Sequence, residues 1–338
     1  VKFTLLYQTH METAAEKATS TAYAEIVEQV IVADEVGFSG VWFAEHHFGA
    51  MRGRVPAPLL MALRVGVVTR RIRVGTAVLL VPLHNPVDLA EQIAMTDVLT
   101  GGRLDVGVGS GGDPLELEAF GISADERRAR FQAAATVLRR LLEGHAEGID
   151  EPPFSVPAVG IEPLPLQKPS SMLWMASMSD ASCTLAGQLG DHLLLARGIP
   201  EERLREQISV YRQARVSAGH DEQSGNTQVT RGLYVARTDE QAWTEAAPGI
   251  ERYYRQSKKV APGAPVPDLR EMARQSYFII GDPDTCVQQI RALGQAASLS
   301  HLACDMYLPR VPHEAILRSI RLCGERVISR VADTVAVA

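Results

Sequence analysis

Arg73-Val74-Gly75-Thr76-Ala77-Val78-Leu79-Leu80-Val81 carries apolar residues on both of its alternating faces. A strand with one solvated face alternates apolar with polar side chains. A strand that is apolar on both faces belongs to a parallel sheet covered by helices. The flanking segments agree. Upstream, residues 56–69 form a helical pattern with Pro56 at its start, where the missing N–H costs nothing. Downstream, Pro86 opens a second helix over 86–99, and a further strand follows at 103–108. Strand, helix, strand is the parallel crossover unit.

The same alternation continues outward to both ends. Strands are expected at 3–7, 40–43, 73–81, 103–108, 172–176, 192–196, 228–236 and 299–306, with a short strand-like piece at 277–280. Helical periods occupy 21–36, 124–142, 181–189, 201–218, 284–294 and 313–331 as well. In the first of these Ile26, Val30 and Ala33 share a face, and Gly37 ends the helix. The Pro-rich stretch 151–168 reads as a short hairpin excursion. Residues 239–275 hold helical pieces broken by Pro262-Gly263, Pro265 and Pro267, too long for an ordinary connection, and read as an inserted lid. An open doubly wound sheet would also alternate. Eight units with no composition break favour a closed (β/α)8 TIM barrel, a single domain over 1–338 with its insertion at about 239–275.

Composition narrows the function. The chain has 338 residues, 46% apolar and 22% charged, with a net charge of −6 and basic residues scattered rather than clustered. A nucleic-acid or anionic-membrane partner is not expected. Cys183, Cys286, Cys304 and Cys323 form no CxxC pair and no Cys/His cluster, which argues against a metal site and a secreted disulfide framework. Buried, inert thiols are expected instead. The opening Val1-Lys2-Phe3-Thr4-Leu5-Leu6-Tyr7 is too short for a signal peptide, and no window has the apolar length of a membrane span. A cytoplasmic protein is the expectation.

In such a barrel ligands sit where strands end. Polar residues and glycines collect at those positions: Ala44-Glu45-His46-His47-Phe48, Pro82-Leu83-His84-Asn85-Pro86, Gly109-Ser110-Gly111-Gly112-Asp113 and Ser177-Met178-Ser179-Asp180-Ala181-Ser182. Gly107-Val108-Gly109-Ser110-Gly111-Gly112 also satisfies GxGxxG, as a dinucleotide site or an S-adenosylmethionine-dependent methyltransferase would. Both need a second strand soon afterwards, and 125–142 is helical. What remains is a loop at Ser110 and Gly111 whose backbone N–H groups can approach an anion. Ser177, Ser179 and Ser182 stand at a helix start, where Ser179 or Asp180 serves as a cap or, with the glycine loop, helps cradle a phosphate. His46 and His47 point opposite ways on an extended segment, which disfavours a shared metal. One of them can face the barrel mouth and move protons near neutral pH.

These residues resemble the bacterial-luciferase-like flavin-dependent monooxygenases. The likeness runs through Trp42-Phe43-Ala44-Glu45-His46-His47-Phe48, Gly75-Thr76-Ala77-Val78, His84-Asn85-Pro86-Val87-Asp88-Leu89-Ala90-Glu91, Asp97-Val98-Leu99-Thr100-Gly101-Gly102-Arg103-Leu104, the serine segment and Ile280-Gly281-Asp282-Pro283. It covers nearly the whole chain and is strongest over 1–120. The resemblance implies reduced FMN supplied by a separate NAD(P)H:flavin reductase. It further implies reaction with O2 to a flavin peroxide, transfer of one oxygen atom to a small organic substrate, and a homodimer. By the same resemblance His46 is catalytic, Thr76-Ala77 is a non-prolyl cis peptide beneath the flavin ring, and Ser179 contacts the flavin phosphate. The luciferases' reactive cysteine and phosphate-binding arginine align with Gly109 and Ser110, so the phosphate falls to Ser110, backbone amides and Arg197. Three other readings stay open: a hydride-transferring enzyme using a deazaflavin coenzyme, a catalytically silent flavin-binding partner subunit and, last, an S-adenosylmethionine-dependent methyltransferase. The deazaflavin's longer anionic tail calls for basic residues that Gly109-Ser110-Gly111 lacks, and His46 speaks against a silent subunit.

Overall fold

The computed structural model describes residues 1–8, 12–48, 53–261, 263–297 and 299–332. Its strands are β1 (Lys2–Tyr7), β2 (Gly40–Phe43), β3 (Arg73–Leu80), β4 (Leu104–Gly109), β5 (Ile149–Glu151), β6 (Phe154–Val156), β7 (Leu173–Ser177), β8 (His192–Leu195), β9 (Thr227–Val235), β10 (Phe278–Gly281) and β11 (His301–Asp305). Parallel pairing runs β1-β2-β3-β4-β7-β8, β8 pairs β9, β9 pairs β11 and β11 returns to β1. That closes an eight-stranded barrel. β10 lies parallel to the C-terminal half of β9, from Gly232 to Val235.

The helices that wrap it are α1 (Thr19–Val36), α2 (Pro58–Gly66), α3 (Pro86–Leu99), α4 (Pro114–Ala119), α5 (Arg127–Leu142), α6 (Pro169–Met172), α7 (Asp180–Leu189), α8 (Glu201–Ser217), α9 (Asp239–Ser257), α10 (Leu269–Gln275), α11 (Pro283–Ala297) and α12 (His313–Cys323). Their apolar faces form one core with the outer faces of the strands. Among the described residues no helix is long and apolar enough to cross a membrane.

Inside the barrel the side chains stack in layers. At the N-terminal end Arg73 pairs with Asp105 at 2.7 Å, Thr4 donates to Gln228 at 3.1 Å, and His192 and His301 flank the Trp174 ring. Above lies an apolar layer of Leu6, Trp42, Trp174, Leu194 and Ala303, against which Ala77, Val78 and Ala176 pack. Trp42 meets Trp174 edge-on at 5.3 Å. Gly75 makes room for it, since a Cβ there would fall 2.8 Å from the Trp42 ring.

Several expectations are corrected. The hairpin is β5 paired antiparallel with β6, so it precedes most of the Pro-rich 151–168 stretch. The helix expected over 124–142 begins at Arg127, and α4 precedes it. The last helix does not run unbroken to 331: after α12 the wider turn Gly324–Ile328 intervenes, and a Cβ at Gly324 would collide with Val36 at 2.3 Å. The 239–275 stretch contains two helices joined across 258–268, and Ala242, Ala246, Ile250, Met272 and Ala273 are buried. Pro262 lies outside the described residues.

All four cysteines are buried free thiols. Burial pushes Cys183 up to about 11, Cys286 up to about 12, and Cys304 and Cys323 upward as well.

Candidate active site

Two carboxylates organise the segment after β2. Glu45 is 1% exposed, and its Oε1 accepts from His47 Nε2 and His84 Nε2, each at 2.8 Å. Its Oε2 accepts the Leu80 N–H at 2.8 Å. Burial alone would raise this carboxyl, but the hydrogen bonds from His47 and His84 hold it below its ordinary value. His47 is raised in turn, chiefly by its hydrogen bond to Glu45. Glu45 thereby ties the ends of β2 and β3 together.

His46 turns the other way. Its Nδ1 lies 3.2 Å from Oε1 of Glu116, on α4, and the same oxygen accepts the His47 backbone N–H at 2.7 Å. A donating Nδ1 leaves Nε2 as the nitrogen able to take or give a proton. Gly53 is required here, because a Cβ would stand 2.4 Å from His46 Cβ.

His46 and Glu116 form one wall of a cleft of about 590 Å³ at the C-terminal ends of β3, β4 and β7. Val78, Leu80 and Ala176 give it an apolar side continuous with the barrel layer. The loop from Gly109 to Asp113 and the start of α7, with Ser179 and Ser182, give it a polar end. Asp113 caps α4 by accepting from the Leu115 N–H. Ser179 caps α7 through a reciprocal pairing with Ser182 and still lines the cleft. Capping and ligand contact are therefore compatible at this residue.

Arg127 and Arg128, at the start of α5, also line the cleft. Arg127 Nη1 donates to the Gly111 carbonyl at 2.5 Å and so braces the glycine loop. Neither guanidinium meets a carboxylate among the described residues. Cations in a helix's first turn oppose its dipole.

Of the residues expected at the site, His46, Ser110, Gly111 and Ser179 come together in this cleft. Ala77 does not line it and packs instead against the apolar layer inside the barrel. Nor do three others reach it. Thr76 is fully buried and spends its hydroxyl on the Gly107 carbonyl at 3.0 Å. Ser177, the last residue of β7, is 1% exposed. Arg197 is held elsewhere by Asp305 at 2.5 Å and by the Tyr253 and Phe278 rings, so the phosphate role expected for it is not supported by its position. A non-prolyl cis peptide is present in β3 but joins Ala77 to Val78, one bond beyond the expected place, where the register with β4 shifts.

A closed parallel barrel whose strand ends gather a histidine–carboxylate pair, a glycine loop and apolar side chains around one cleft has the architecture of a TIM-barrel enzyme. Residues 2–300 match the family described as luciferase-like monooxygenase, and the chain belongs to that family of oxidoreductases. The 4-hydroxyprotoasukamycin monooxygenase of Streptomyces nodosus subsp. asukaensis is 28% identical, over 88% of this chain and 84% of that protein. The oxygenase component of the flavin-dependent trigonelline monooxygenase of Acinetobacter baylyi is also 28% identical, over 70% of this chain and 66% of its own. Among solved structures, monooxygenase RslO1 from Streptomyces bottropensis superposes with a TM-score of 0.89 at 27% identity, covering 97% of this chain and 99% of that one.

Proposed function

We propose that the chain is the oxygenase component of a two-component monooxygenase that takes reduced FMN from a separate NAD(P)H:flavin reductase. The observation that carries this reading is the convergence, in one cleft, of an apolar floor, a phosphate-suited end and the His46–Glu116 pair. The residues present fit such a cofactor. Uncompensated Arg127 and Arg128 with Ser110, Ser179 and Ser182 suit a phosphate, and Val78, Leu80 and Ala176 suit a flat aromatic ring.

Reduced FMN, when bound, supplies the two electrons with which O2 delivers one oxygen atom to an organic substrate and the other to water. The chain's own residues do the rest. Arg127 holds the glycine loop in place. Val78 and Leu80 keep water from the apolar side of the cleft. His46 exchanges a proton at Nε2, oriented by Glu116. A second copy of the chain covers the face where Leu60, Val67, Met95 and Leu99 stand 68%, 62%, 54% and 50% exposed on α2 and α3 and the turn after α2. Sedimentation as a monomer would remove that last element.

One observation keeps the deazaflavin reading alive. Arg127 and Arg128 provide the basic residues that the phosphate loop itself lacks. A single experiment separates the two: rapid mixing of protein loaded with reduced FMN against oxygenated buffer. The expected result is a long-lived absorbing species, distinct from reduced and oxidised FMN and absent without protein. Oxidation no different from that of free FMN would overturn the oxygenase reading and turn attention to hydride transfer.

A further inference from the structure

Past Phe43 the chain leaves the sheet, and its backbone N–H groups find separate acceptors. Ala44 donates to the Tyr7 carbonyl, Glu45 to Val78 and His46 to Val55, at 3.0, 3.2 and 3.3 Å. His47 gives its N–H to a side chain, Glu116 Oε1, at 2.7 Å. No strand ladder fixes which way Glu45, His46 and His47 point beyond this. Side chains do it instead.

His47 is held at its ring as well as at its backbone. Ring Nε2 donates to Glu45 Oε1, two residues back, and the ring packs edge-on against Phe120 at 4.8 Å. Phe120 ends α4, one turn after Glu116. Glu45 is anchored away from this segment by His84 Nε2 and the Leu80 N–H. A hydrogen bond between side chains two apart brings both to one side of an extended chain and turns the residue between them to the other. That residue is His46, whose ring lines the cleft, whereas Glu45 and His47 are not among its walls.

Burial makes this clamp hard to release. The side chain of Glu45 is sealed from solvent, and its oxygens accept from His47, His84 and Leu80. A donor withdrawn from such a carboxylate leaves desolvated charge short of a partner. Serving that acceptor requires a hydrogen on Nε2 of both imidazoles.

We propose that His47 is a positioning residue: its ring on Glu45 and its backbone N–H on Glu116 hold the His46 ring toward the cleft, with Nδ1 on Glu116 and Nε2 left for the proton. The inference rests on the reading of His46 as the proton-exchanging group of the proposed reaction. Its test does not, because it is made without flavin.

Two-bond 1H–15N correlation spectra of the full chain, labelled with 15N-histidine and recorded at about pH 8.5, well above the ordinary histidine value, read the tautomer of each ring. His46→Ala assigns the signals. In the wild type His46 is expected to carry its hydrogen on Nδ1, with its two nitrogen signals widely separated. His47→Gln places an amide N–H where Nε2–H stands and should keep that pattern. His47→Leu fills the space against Phe120 without a donor and should lose it, the two nitrogen signals of His46 converging as in a free ring. Glu45→Asp, whose shorter carboxylate cannot span His47, His84 and Leu80 together, should do the same and covers the case in which His47→Leu fails to fold. A folded His47→Leu or Glu45→Asp chain with His46 still wholly Nδ1–H would overturn the proposal. So would loss of the pattern in His47→Gln, or its absence from the wild type. Oxidation of bound FMN no different from that of free FMN would leave these spectra as they are, so the oxygenase reading and the clamp fall separately.

Discussion

His46 Nδ1 and Glu116 Oε1 lie 3.2 Å apart, bridging the segment after β2 and the short helix α4. The same oxygen holds the His47 N–H, so one carboxylate sets both the ring and the backbone beneath it. Glu116 is 2% exposed, and His46 is the member of the pair that opens onto the cleft.

Replacing the ring should separate chemistry from binding. His46→Ala is expected to leave the affinity for reduced FMN within about twofold while lowering product formed per turnover by about 10²-fold, the lower end of general acid–base effects. Glu116→Gln, which keeps an oxygen acceptor but not its charge, should cost less and shift the pH profile of the rate. Single-turnover product yields measure both. Unchanged yield in His46→Ala removes the histidine from the reaction.

The polar end of the cleft has two kinds of contact with different salt behaviour. Ser179→Ala should weaken FMN binding by about 1 kcal/mol, a single neutral hydrogen bond, and lower stability by a similar amount through the lost cap. Arg127→Ala and Arg128→Ala should weaken FMN binding further, with a loss that shrinks as salt rises. Fluorescence titration of FMN at two ionic strengths distinguishes them. Equal losses independent of salt would place the phosphate elsewhere.

The polar layer at the N-terminal end of the barrel predicts an acid limb in stability. Burial, reinforced by Arg215, lowers His192 to about 4, and burial with Lys2 nearby lowers His301 to about 3, from an ordinary 6.5. Below 6.5 the unfolded chain therefore binds protons that the folded one refuses. Their contribution is complete above 6.5 and is lost as pH falls toward 4 and 3, on the order of 3 kcal/mol for His192. Other groups titrate in the same range, so the informative quantity is a difference. Urea stability of wild type minus that of His192→Gln should rise with pH between about 4.5 and 6.5. A pH-independent difference would contradict the assignment.

How much of this was legible in the sequence depended on distance along the chain. Parallel strands buried on both faces announce themselves, and the boundaries of β2 and α3 coincide with those expected. His46, Ser110 and Ser179 were legible because strand ends in a barrel are sites by topology. Glu116, Arg127 and Arg128 were not, because their value lies in meeting a residue about seventy positions away or a loop on another strand. Two local signals did exist. Asp113 before Pro114 is a helix start, and the Arg127-Arg128 doublet in a first turn contradicts the dipole. Arg197 was misplaced for the converse reason: its position is decided by Asp305, 108 residues further on.

The enclosed thiols bear on how the protein ages. Reduced flavin in air releases hydrogen peroxide, and under the function proposed above this chain would be exposed to it. Thiolates are the vulnerable form, and burial keeps Cys183, Cys286, Cys304 and Cys323 protonated. Oxidative wear is thereby diverted to thioethers. Met178, 78% exposed on the wall of the cleft against 54% for Met95, stands where a sulfoxide's polarity would be felt by whatever binds beside it.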